Sequence, residues 1–173
     1  MKKLWILLPM IILLTACSKP QNLETVSDPA LTPEIPEAQQ ILLELPEGTD
    51  TPVLQNEGAG KVYFSDDLTI TVQTLEGGDL AQTVKTCTGF YPEQITMLQT
   101  TQENAKRYDG VWTSVGEEQD QVGRLCVLDD GHYHYVVTAM ASEEDTGKLQ
   151  STLKMMFDSV RLLPADVDLN TGS

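Results

Sequence analysis

The chain has 173 residues, enough for one domain, and 40% of them are hydrophobic, enough to build a core. It carries 26 acidic against 11 basic residues, a formal net charge of −15. Nucleic acid and anionic membrane surfaces would both repel such a chain, which sets those partner classes aside.

Lys2 and Lys3 form a positively charged start, and Leu4–Leu14 is an apolar run, interrupted at Pro9, that is short for a permanent bilayer span. This pattern predicts a secretory signal peptide over residues 1–16. Its end, Leu14-Thr15-Ala16-Cys17, resembles the bacterial lipobox, in which small residues precede an invariant cysteine. The resemblance implies lipidation of Cys17, cleavage between Ala16 and Cys17, and two or three acyl chains on the new terminus. Two chains are enough for stable anchoring. The expected address is the cell membrane, lipid-anchored and facing the extracytoplasmic side. Ser18, not Asp, follows the cysteine, so that position does not argue for inner-membrane retention. Lys2 and Lys3 are the only charges before Cys17. The remainder holds 26 acidic and 9 basic residues, a net charge of −17 that suits solubility outside the cell.

Residues 17–60 read as the lipidated cysteine and a Pro/Glu-rich tether. Pro20, Pro29, Pro33, Pro36, Pro46 and Pro52 are scattered among Glu, Thr, Gln and Asn, a composition with too little apolar surface to offset ordering. Within it, Glu37–Leu45 places Ile41, Leu42 and Leu45 at helical spacing. Two readings fit that segment, a short docking helix or a first strand of the domain.

The folded domain is expected over residues 61–163. Lys61–Phe64 and Leu68–Leu75 flank a turn at Ser65-Asp66-Asp67 and predict a hairpin, with Leu68, Ile70 and Val72 on one face. Gly77-Gly78 ends it. Asp79 is placed to cap a helix over Leu80–Cys87, which Gly89 stops. After an extended link at Tyr91-Pro92, Gln94–Thr101 predicts a strand, Glu103–Lys106 a turn and Tyr108–Gly116 another strand. Gln121–Asp129 and His132–Met140 then flank Asp130-Gly131, a pair favoured in two-residue hairpin turns. That turn predicts the pairs Cys126–Tyr135 and Val127–His134. One face would carry Val122, Arg124, Cys126, Leu128, Tyr133, Tyr135, Val137 and Ala139. The other would carry Leu125, Val127, His132, His134, Val136, Thr138 and Met140. Both faces are substantially apolar, so both need cover. Ser142-Glu143-Glu144-Asp145 matches a capping box. It opens a helix with Leu149, Leu153, Met156, Val160 and Leu163 on one stripe and Phe157 beside it, stopped by Pro164. Residues 164–173 read as an acidic tail.

The order of strands, the Tyr108-Asp109-Gly110-Val111-Trp112-Thr113 strand, the Asp129-Asp130-Gly131 hairpin and the terminal Met156-Phe157-Asp158-Ser159-Val160 resemble the PsbP-like fold. That fold is known from the extrinsic photosystem II protein, a eukaryotic Ran-binding protein and many bacterial lipoproteins. The resemblance covers roughly Lys61–Leu163. It implies an α+β domain, an antiparallel sheet flanked by helices in an α/β/α sandwich, and a binding or assembly role rather than an enzymatic one. No photosystem- or Ran-contact motif carries over to this sequence.

Chemistry-bearing residues are few. With Cys17 lipidated, Cys87 and Cys126 remain as an even pair in an exported domain. A disulfide between them would close a loop of about 40 residues and contribute on the order of 3–4 kcal/mol; two buried free thiols are the alternative. His132 and His134 would point to one face about 7 Å apart, with Asp129 opposite His132, a set able to hold a transition metal. Ser114, His132 and Asp129 supply the residue types of a nucleophile, base and orienter, but without a nucleophile elbow or oxyanion loop. Asp66-Asp67 and Glu117-Glu118 sit in turn-like segments. Asp166–Gly172 imitates the start of a calcium loop yet lacks its sixth-place glycine and its closing glutamate. The expectation is a membrane-anchored, non-catalytic module that binds an unidentified envelope component or protein, with no cofactor. The alternative is a solute- or metal-binding lipoprotein using the His132/His134 face.

Overall fold

Alternating apolar and polar residues along the second half of the chain produce long antiparallel strands. A computed structural model describes residues 35–54, 60–65, 67–116 and 119–167. The expected signal peptide, Cys17, Asp66, Glu117-Glu118 and the end of the expected acidic tail lie outside the described residues. The strands are β1 (Gln40–Leu42), β2 (Val53–Leu54), β3 (Gly60–Ser65), β4 (Leu68–Glu76), β5 (Thr96–Gln102), β6 (Ala105–Ser114), β7 (Gln121–Asp129), β8 (Tyr133–Ser142) and β9 (Arg161–Leu163). Two helices, α1 (Leu80–Thr88) and α2 (Glu143–Ser159), join them. Seven strands form one sheet in the order β2-β3-β4-β8-β7-β6-β5, every neighbouring pair antiparallel. The chain is an α+β fold, an antiparallel sheet flanked by helices, as its sequence led us to expect.

Local chemistry sets both helix starts. The Asp79 carboxylate accepts from the Ala81 amide at 2.9 Å, and Gly89, with φ 82°, closes α1 in the left-handed conformation that glycine tolerates. Ser142 Oγ accepts from the Asp145 amide at 3.2 Å and donates to the Asp145 carboxylate at 2.6 Å. The Tyr91-Pro92 link contains a single 3₁₀ turn over Pro92–Gln94.

The central hairpin differs from its expected register by two residues. Asp129 pairs with His134 and Cys126 with Val137. The Asp130 amide donates to the Tyr133 carbonyl at 3.3 Å, so Gly131 and His132 are the central residues of the turn, with Gly131 at φ 92°. The Asp130 side chain forces this shift, because it accepts from the His132 and Tyr133 amides at 2.9 and 2.8 Å. A slip of two leaves every side chain on its expected face.

Helix α2 is shorter than its apolar stripe. It ends at Ser159, and Arg161–Leu163 become β9, paired antiparallel with β1 through Gln40–Leu163, Ile41–Leu162 and Leu42–Arg161. Pro164 therefore follows a strand instead of stopping the helix. Of the two readings for Glu37–Leu45, the strand is observed: ordered chain extends upstream of residue 61, through β1 and β2. Side-chain bonds fasten this ribbon. Gln40 Nε2 donates to the Ala165 carbonyl at 2.9 Å, and Ser159 Oγ accepts from the Glu44 amide at 2.9 Å.

Two hydrophobic clusters lie on opposite faces of the sheet. Under α2, Leu153, Met156, Phe157 and Val160 pack with Leu68, Ile70, Cys126, Leu128, Tyr135, Val137 and Ala139, and Ile41, Leu43 and Leu45 close one flank. Under α1, Val84 packs with Trp112, Leu125, Val127 and Val136, with Phe90, Ile95 and Met97 around them.

Candidate binding face

The histidines separate. His132 is exposed in the hairpin turn, whereas His134 is 1% exposed beneath α1. His134 Nδ1 lies 2.7 Å from Thr83 Oγ1 of α1, and its Nε2 lies 4.0 Å from Asp129 Oδ1. Asp129 therefore faces His134, not His132. Its own carboxylate accepts from the Gly131 amide at 2.8 Å. Among the described residues no group of three or more His, Cys, Asp or Glu side chains gathers as a metal-ligand set.

The cysteines separate as well. Cys126 is fully buried in the α2-side cluster, while Cys87 packs into the α1-side cluster and accepts from Gln73 Nε2 at 2.9 Å. The sheet stands between them and both are free thiols, so the Cys87–Cys126 bridge is not formed. Burial pushes the Cys87 thiol up to about 11 and Cys126 up to about 12, so neither is poised as a thiolate at neutral pH. Ser114 ends β6 opposite Gln121, at the far end of the β6–β7 pair from Lys106 and Asp129. Eight residues at about 3.4 Å each put roughly 27 Å between Ser114 and that end, and the triad types do not meet.

One open concavity beside α2 was not foreseen from sequence. Helix α2 packs over β7 and β8, while the β5–β6 half of that face carries no helix. A groove of about 490 Å³ results, floored by Leu98, Val111 and Arg124 and walled by Gln150, Lys154 and Phe157 of α2. Leu98 is 63% and Val111 40% exposed. Arg107 is held on one side by a fork onto Asp109 at 2.7 and 2.8 Å, and by bonds to Gln102 Oε1 and the Phe157 carbonyl, each 2.8 Å. Lys154 pairs with Asp158 along the helix. Arg124 stacks its guanidinium 5.8 Å from the Phe157 ring centre and has no hydrogen-bond or ion-pair partner among the described residues. The expected face for Arg124 is the observed one. What the pattern did not show is that the neighbouring half of that face stays uncovered.

No protein-family model and no curated protein matches the sequence. Solved structures do. A protein of Bacteroides thetaiotaomicron aligns at TM-score 0.50 and 7% identity, over 73% of this chain; the chain spans only 46% of that protein's length. Cyanobacterial PsbP (CyanoP) of Synechocystis aligns at TM-score 0.51 and 14% identity, over 72% of this chain and 92% of its own. LpqN of Mycobacterium tuberculosis, involved in cell envelope biogenesis, aligns at 0.49 and 16%, over 75% and 86%. The seven-stranded antiparallel sheet between α1 and α2, together with the match to CyanoP, identifies this domain as one with the PsbP-like fold.

Proposed function

We propose that the chain is a membrane-anchored extracytoplasmic lipoprotein whose PsbP-like domain is a non-catalytic binding or assembly module for a protein or envelope component. The observation that carries the anchor is the Leu14-Thr15-Ala16-Cys17 sequence behind a short apolar run. Acyl chains on Cys17 supply membrane attachment. Among the described residues, no helix is long and apolar enough to cross a membrane. A binding role is supported by the way chemistry-bearing side chains are used. His134 and Asp129 serve the hairpin and α1, Cys126 is buried and Cys87 half-buried on α1, and Ser114 stands far from either histidine. The concave surface is instead a shallow, half-apolar groove.

Cys17→Ser in cells separates the readings of the N-terminus. We expect loss of labelled palmitate incorporation and release of the protein from the membrane fraction. Continued membrane attachment of the variant would contradict the lipoprotein reading.

A further inference from the structure

The two edges of the sheet are built differently. One ends in β2, two residues long and preceded by Pro52, the kind of short, proline-marked edge that resists pairing. The other ends in β5, seven residues paired without a bulge to β6, from Thr96–Val111 to Gln102–Ala105. Its sequence, Thr96 to Gln102, holds no charge and no proline. Among the described residues no strand pairs with its outer side. An unguarded edge of this length is a template for one more strand.

The α2 side of that edge is also the groove. Thr96, Val111 and Arg124 form one row across β5, β6 and β7, and Leu98 sits beside them. Thr96 and Val111 are short, leaving the space over them open between the edge and Arg124. Within the groove Arg107 pairs with Asp109 and Lys154 with Asp158, and Arg124, which also acts on Asp158 through space, brings the lining to three cations against two carboxylates, a local positive excess. A guanidinium stacked on an aromatic ring and hydrogen-bonded to no carboxylate is suited to bidentate recognition of one.

We infer that β5 and its groove bind an extended acidic peptide segment of a partner protein by strand addition. The partner backbone pairs with β5, its alternate apolar side chains lie on Leu98 and Val111, and an acidic side chain reaches Arg124. This deepens the binding role proposed above and rests on it.

The test uses the full chain in detergent, with fluorescence anisotropy of a labelled octapeptide, Val-Thr-Glu-Thr-Val-Thr-Glu-Thr, whose Val and Glu side chains share one strand face. Three comparisons accompany it: the Lys/Val counterpart, the Glu/Val peptide N-methylated at alternate residues, and competition by glutarate. At about 0.15 M salt, where the chain's overall negative charge is screened beyond about 8 Å, we expect the Glu/Val probe to bind at least tenfold tighter than the Lys/Val probe, and N-methylation to abolish binding. Arg124→Gln, checked for folding by circular dichroism, should weaken the Glu/Val probe at least fivefold, with Arg124→Lys between it and the parent. Equal binding of the two probes, indifference to N-methylation, or full competition by millimolar glutarate would overturn strand addition. So would a chain dimer in sedimentation that Leu98→Lys breaks, since β5 would then be a self-interface. If the probes fail while photo-crosslinking in cells still captures one partner from another surface, this site is wrong and the binding role stands. If both fail, the binding role fails with it.

Discussion

The two faces of the sheet are covered to different extents. On the α1 side, Val84 and Phe90 meet Trp112, Val127 and Val136, and the buried His134 is tied to Thr83, leaving a sealed layer. On the α2 side the helix and the β1–β9 ribbon seal β4, β8 and β7, but the β5–β6 half remains open around Leu98, Val111 and Arg124. Sealed apolar surface stabilises a fold, whereas exposed apolar surface beside a local excess of charge is where a monomer meets something else. On the binding role proposed above, stability rests on one set of residues and recognition on another, so the two should come apart on mutation.

The largest effect belongs to the sealed side. Trp112→Ala removes a ring only 5% exposed and should cost about 4 kcal/mol in denaturant unfolding. Gly123→Ala tests the same contact from its partner strand. A Cβ at Gly123 would stand 2.1 Å from the Trp112 ring carbons, and overpacking of that kind costs about 2 kcal/mol.

The hairpin turn comes next. Tyr135, 1% exposed, donates from its hydroxyl to Asp130 at 2.8 Å and accepts from the Gln39 amide at 3.0 Å. Tyr135→Phe strands that amide and should cost about 1.5 kcal/mol. Partial burial works against ionisation of Asp130, yet the amides of His132 and Tyr133 and the Tyr135 hydroxyl outweigh it and hold its carboxyl below the usual carboxylate value. A carboxyl depressed in the folded state contributes stability above its unfolded pKa of about 3.9, and that contribution is lost as pH falls through the folded value. The stability gap between the parent and Asp130→Asn should therefore be full at neutral pH and shrink in acid.

Smaller effects follow at the open side. Glu103, at φ 52° in the β5–β6 turn, is a non-glycine residue in the left-handed region. Glu103→Gly should stabilise by about 0.5 kcal/mol, relief of strain being partly offset by the added freedom of glycine in the unfolded chain. Arg124→Gln and Leu98→Thr should change stability by no more than about 0.5 kcal/mol, while binding at the groove falls. A large loss of stability in either would erase the distinction between the two faces.

Local chemistry was legible in the sequence where it acts locally. Asp79 and Gly89 bracket α1 because capping needs only neighbours, and Ser142 starts α2 for the same reason. The faces of β7 and β8 were legible because side-chain period is two, which also hid the register shift: Asp130 bonds with its side chain to amides two and three residues on, and no alternation pattern records that. Val160 and Leu163 continue the helical stripe, yet Arg161–Leu163 pair with Gln40–Leu42, about 120 residues upstream, so the end of α2 is a long-range event. Gly77 is similar. It reads as turn punctuation, but a Cβ there would stand 2.6 Å from the His132 carbonyl, to which the Gly77 amide donates at 2.7 Å. The candidate site was the least legible part. Arg124 fell on its correct face, but an open space beside it depends on how far α2 reaches across the sheet, and its neighbours in sequence carry no trace of that.

The most direct measurement places a photo-crosslinking residue at Leu98 in the full chain in intact cells and, separately, at Lys85 on α1. A partner captured at position 98, absent at position 85 and lost with Cys17→Ser is the predicted result. Capture only from position 85, or capture at 98 that survives Cys17→Ser, would contradict a membrane-anchored module that binds through its open face.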